Sequence, residues 1–165
     1  MAFLPKSIYE QRMKAIRTYL EDNDLQALVV LTGDNFYFVA NFFLDVAPWE
    51  RPVAAVIPRS AEPFLVMHEL SQNHLRMAQE IGMLWINDWD FYVEHPRQVN
   101  RRWLTPQWTA LLAEKLESRG ITRGRLAVEG PIGSIQTVLN YLPKLTFEDA
   151  TPFMQRMRRV KCAEE

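Results

Sequence analysis

Cysteine is nearly missing from this sequence. Cys162 is the single one among 165 residues. An internal disulfide framework is therefore excluded, and a reducing compartment fits. An excess of either charge is missing too: 19 basic and 20 acidic residues leave a net charge of −1. There is no broad basic field to hold a phosphate backbone, which argues against nucleic acid as a partner. No apolar run approaches the roughly 20 residues that span a bilayer, so no membrane partner is expected. Met1 to Lys6 lacks the charged-then-apolar layout of a secretory leader. A cytoplasmic protein, or a fragment of one, is the expectation. What is present is ordinary globular material: 48% hydrophobic and 24% charged residues, over a length that suits one domain, 1–165.

Hydrophobic spacing sets out the elements. Tyr9, Met13, Ile16 and Leu20 recur at helical intervals, with Ser7 as expected cap and Glu10 as its capping-box partner. Ala27 to Leu31 is a short, wholly apolar run, read as a strand buried on both faces. A helical turn capped by Thr32 or Asp34 follows, in the aromatic stretch Asn35 to Phe43. Val53–Ile57 and Pro63–Met67 read as a hairpin. Glu69–Ile81 reads as a helix closed by Gly82, Met83–Ile86 as a strand, and Asp88–Asn100 as a long loop. Thr105-Pro106 opens a helix that Gly120 stops. Arg125–Glu129 is a strand, Ser134–Leu142 a helix, Leu145–Glu148 a strand, and Thr151-Pro152 opens a last helix. Helices alternating with short apolar strands predict a three-layer α/β/α domain around a mixed sheet of five to six strands.

Chemistry is harder to find. His68 and His74 are six residues apart, about 240° around a helix, so they cannot share a metal as a pair four apart does. His68-Glu69 then reads as a helix start with exposed polar groups. Asp88, Asp90, Glu94 and His95 form the best local cluster for metal or acid–base work, set against a plain solvated loop; no calcium-loop spacing is present. Cys162 has arginines nearby that can lower a thiol pKa but no histidine close in sequence. Gly130-Pro131-Ile132-Gly133 has GXXG spacing without charge between the glycines, and a turn explains it better. No complete catalytic constellation is present.

Several segments, in order, resemble one family. Asn35-Phe36-Tyr37-Phe38 after a buried strand, leading into Asn41-Phe42, resembles the signature of the creatinase/prolidase N-terminal domain, with Asn35 and Tyr37 as the motif residues. Trp49-Glu50-Arg51-Pro52 leads into a hairpin strand where that family often carries an arginine. Leu126 to Gly130 looks like its late strand. Asp149 to Glu165, with Arg158, Lys161 and Glu165, looks like the junction to a catalytic domain. Two departures stand out: Ala40-Asn41 where the family usually has Thr-Gly, and Cys162 where it usually has Ser.

The resemblance implies a fold with a ribonuclease H-like motif and no catalytic residue on this chain. It also implies a C-terminal catalytic domain after residue 165 carrying two divalent ions (Mn, Co or Zn), and a homodimeric parent. That parent would be an Xaa-Pro peptidase of the aminopeptidase P or prolidase kind. Arg51 and Trp89 are the substrate-binding candidates, Arg51 because a guanidinium grips a carboxylate bidentately. The alternatives are a creatinase-type hydrolase of a small-molecule C–N bond, which Ala40-Asn41 slightly favours, and a stand-alone binding module.

Overall fold

The computed structural model describes residues 4–44, 51–93 and 105–161. Six strands form one mixed sheet: β1 (Leu25–Val30), β2 (Ala54–Pro58), β3 (Phe64–His68), β4 (Trp89–Tyr92), β5 (Arg123–Glu129) and β6 (Lys144–Asp149). Their spatial order is β4-β3-β2-β1-β5-β6. The β1–β2 and β2–β3 pairs are antiparallel, and β3–β4, β1–β5 and β5–β6 are parallel. The helices are α1 (Lys6–Asp22), α2 (Gly33–Ala40), α3 (Gln72–Glu80), α4 (Thr105–Glu117) and α5 (Thr151–Arg159).

The strand period of two builds both cores at once. Leu28, Val30, Ala55, Ile57, Leu65 and Met67 join one cluster with Ile16, Leu20, Phe36, Leu75 and Met154 from α1, α2, α3 and α5. The alternate residues Ala27, Val29, Val56, Phe64, Val66 and Val128 join the other, with Trp108, Leu112 and Leu116 of α4. The expected three-layer α/β/α arrangement is thus present. β1 is apolar and buried from Ala27 to Val30 because helices cover both of its faces there. Val29 is fully buried.

Four expectations need correction. α1 starts at Lys6 with Pro5 at its cap, and no side chain closes a capping box from Ser7. Pro5 already holds the extended dihedrals a cap needs. Met83–Ile86 is not in the sheet: its backbone is tied to the end of α2 through Trp85 N–H to the Ala40 carbonyl at 3.1 Å. The strand comes later, as β4, inside the segment expected to be a loop. Finally, Ser134–Leu142 is not an α-helix but two short 3₁₀ segments, Ile132–Ser134 and Gln136–Asn140. Ile135 between them sits at φ −113°, ψ 1°, outside helical geometry. The closures at Gly82 and Gly120 hold, both at left-handed φ.

Candidate functional site

Strand directions gather chemistry at one end of the sheet. The carboxyl ends of β1, β3, β4, β5 and β6 and the amino end of β2 all meet there, which follows from the pairings. In open α/β sheets this edge is where ligands ordinarily sit. Two polar corners occupy it.

The first is built around Glu129, the last residue of β5, only 2% exposed. Its carboxylate accepts from the Thr32 hydroxyl at 2.6 Å and the Asn35 amide at 2.8 Å. The Thr32 and Leu31 backbone N–H groups add bonds at 3.2 and 3.3 Å. Thr32 holds the cap position of α2, yet its side chain makes no cap bond because Glu129 takes it. Gly130 makes this approach feasible: at φ +105°, a Cβ there would lie 3.1 Å from Leu31 Cβ and Thr32 Cγ2. The Gly-x-x-Gly segment is therefore a turn that packs on the loop after β1. Asn35 is a structural member of this corner, while Tyr37 is 40% exposed and meets Phe43 edge-on. The exposed Asp34 carboxylate reaches Arg158 of α5 at 3.2 Å.

The second corner joins β3, β4 and the approach to β2. Tyr92 donates its hydroxyl to the Pro52 carbonyl at 2.9 Å. Its ring meets that of His68, its register partner, edge-on. His68 is 5% exposed, and the Ser71 hydroxyl lies within 3.1 Å of its ring nitrogens. That overturns the expectation of an exposed helix-start histidine: His68 ends a buried strand. Arg51, half-buried, forms an isolated bridge just before Pro52. Trp89 is not on a loop but opens β4, half-buried against the α1–α2–α3 face. Three residues before Tyr92 on one strand, it sits about 10 Å from it. The register thus gives Trp89 and Tyr92 opposite faces of the sheet.

The expected acidic cluster is an ion-pair network. Asp88 and Asp90 share Lys115 of α4, at 2.8 and 2.6 Å, and Asp88 also pairs with Arg119. Both cations lie over the Phe64 ring. Burial alone would lower the Lys115 pKa, but the hydrogen bonds and charges of the two aspartates outweigh it and raise it. Glu94, His95 and Cys162 lie outside the described residues. Among those described, no three His, Cys, Asp or Glu side chains converge as a metal set would need. No described helix is long and apolar enough to cross a membrane.

A family model for the creatinase/prolidase N-terminal domain matches residues 12–160. The chain belongs to that family. Similar solved structures include a proline dipeptidase from Streptococcus pneumoniae, at 21% identity and TM-score 0.68, covering 90% of this chain and 98% of that one. The dipeptidase PepE of Mycobacterium ulcerans matches at 22% identity and TM-score 0.69, over 99% of this chain and 40% of its own. A prolidase from Thermococcus sibiricus matches at 14% and 0.71, over 95% and 38%. This chain therefore spans about two fifths of the latter two proteins. At such identities these likenesses establish the fold. No match is found among curated protein sequences.

Family membership gives the Ala40-Asn41 departure a physical reading. Asn41 ends α2 at φ 53°, ψ 30°, the left-handed conformation that glycine usually fills and asparagine tolerates. Its backbone N–H bonds the Tyr37 carbonyl, and its side-chain amide donates to the Met83 carbonyl at 2.7 Å. The exchange keeps the turn and adds a tie to the segment after α3.

Proposed function

We propose that this chain is the non-catalytic N-terminal domain of a metal-dependent Xaa-Pro peptidase, shaping the substrate site and the dimer of its parent. The observation that carries the reading is the match over residues 12–160, joined to solved neighbours described as proline dipeptidase and prolidase. Two divalent ions, Mn, Co or Zn, would be held by a catalytic domain and would supply an activated water and a Lewis acid. This chain contributes shape and charge. Arg51 is the candidate for the substrate carboxylate, because its planar fork matches one. Trp89, half-buried on the edge strand, is the second candidate. The parent is expected to work in the cytoplasm.

A creatinase-type activity draws no support from Ala40-Asn41, whose backbone role is accounted for above. The test is direct. The full-length protein, given manganese, cobalt or zinc, should release proline from alanyl-proline and leave creatine untouched. Hydrolysis of creatine without peptide cleavage would replace the reading with its rival. Failure on both would leave a binding module.

A further inference from the structure

We propose that Tyr92 is a positioning residue for Arg51, fixing the backbone that aims the guanidinium at a substrate carboxylate; this rests on the peptidase reading above. Pro52 has no N–H, so its carbonyl is the one backbone group through which a neighbour can hold it. Pro52 is buried, where a carbonyl needs a partner. Tyr92 supplies that partner at 2.9 Å, from 40 residues away. The phenol is itself immobilised. Tyr92 is 4% exposed, lies on a strand, and packs edge-on against His68, whose ring faces the fully buried Ser71 hydroxyl. The hold on Pro52 therefore comes from the sheet, and sites held by strands keep geometry better than sites on loops.

Arg51 inherits this constraint. The residue before a proline is pushed out of helical dihedrals into extended ones. With Pro52 pinned and φ of its ring fixed, the Tyr92 hydrogen bond joins the bridge at Arg51 in holding the backbone from which the Arg51 side chain leaves. Substrate binding then needs less ordering of a long side chain. The same phenol, replaced by phenylalanine, would keep its packing and lose only the hold.

The experiment measures kcat and KM of the full-length enzyme for alanyl-proline and for its C-terminal amide, in wild type, Tyr92→Phe, Arg51→Ala and the double variant. Dividing the two substrates cancels any general loss of folded enzyme. Tyr92→Phe should cut the preference for the free carboxylate by about threefold to tenfold, chiefly through KM, as expected for one neutral hydrogen bond. In the Arg51→Ala background it should change that preference no further. If Tyr92→Phe lowers both substrates equally, or its effect on the preference adds in full to that of Arg51→Ala, Tyr92 is a structural residue and the proposal fails. If Arg51→Ala leaves the preference unchanged, the assignment of Arg51 itself fails and the positioning role with it. If wild type cleaves neither peptide, the peptidase reading falls first.

Discussion

Two acidic corners of this domain solve the same problem differently. Glu129 is almost fully buried and is satisfied by the Thr32 hydroxyl, the Asn35 amide and two backbone N–H groups. Asp88 and Asp90 are half-exposed and satisfied by Lys115 and Arg119. The first arrangement exchanges solvent for converging dipoles and ties the end of β5 to the loop after β1, across more than ninety residues. The second pairs opposite charges where water still screens them. Clustering of acids in sequence is thus a poor guide to what they do. Asp88 and Asp90 hold α4 to the edge of the sheet, whereas the lone Glu129 organises the start of α2.

The comparison has a limiting case, which is a carboxylate given neither donors nor cations. Val29 lies fully buried in the middle of β1, so Val29→Asp creates it. The cost should be about 4 kcal/mol or more, enough to leave much of the domain unfolded at room temperature. Chemical denaturation followed by circular dichroism checks this, and a melting point within a degree or two of wild type would mean the apolar core is drawn wrongly. Next comes Glu129→Ala, which takes the carboxylate from the Thr32 hydroxyl, the Thr32 N–H and the Asn35 amide in a buried corner, while the Leu31 N–H keeps the backbone carbonyl of residue 129. We expect a loss of about 3 kcal/mol, or roughly 10 °C in Tm for a domain of this size. Hydrogen exchange should quicken at Thr32 before it does elsewhere.

Asp90→Asn should cost less than about 1 kcal/mol and vanish at molar salt, because the Asp90 carboxylate is half-exposed and screened. If Asp90→Asn proves as damaging as Glu129→Ala, the contrast between the corners collapses. The pH dependence is the smallest effect. Lys115 is raised in the folded state, so its contribution is whole below its unfolded pKa near 10.4 and disappears as pH rises through the higher folded value. Asp149 is lowered by the Thr151 side chain and then its backbone N–H, which bonds the carboxylate at 2.8 Å. Its contribution is present above the unfolded pKa near 3.9 and lost as pH falls through the folded one. Melting curves of Lys115→Met and Asp149→Asn against pH should therefore converge on wild type at opposite ends of the scale.

The strands of the core were legible because a run such as Ala27 to Leu31 has one reading at that length, and the helices closed by glycine were legible from their stops. β4 was not, because Asp90 interrupts an aromatic strand with a charge whose partner, Lys115, lies 25 residues away. The two 3₁₀ segments are hidden in the sequence because Ile135, Val138 and Leu142 fit either helix period. The burial of His68 has no local signal: nothing in the sequence around it says that Ser71 and Tyr92 will close around it. Glu129 carried no sequence signal beyond ending an apolar strand before glycine. Its role arises only when the parallel pairing of β1 and β5 brings Thr32 and Asn35 to it.

Under the proposed function the chemistry of the parent lies outside this chain, and Asp88, Asp90 and Glu129 serve structure. Incubating the purified 165-residue chain with manganese, cobalt or zinc, while measuring bound metal by equilibrium dialysis and cleavage of alanyl-proline, tests that most directly. The expected result is no stoichiometric metal and no proline released. Metal bound at one ion per chain, with turnover that Asp90→Asn or His95→Ala abolishes, would contradict it.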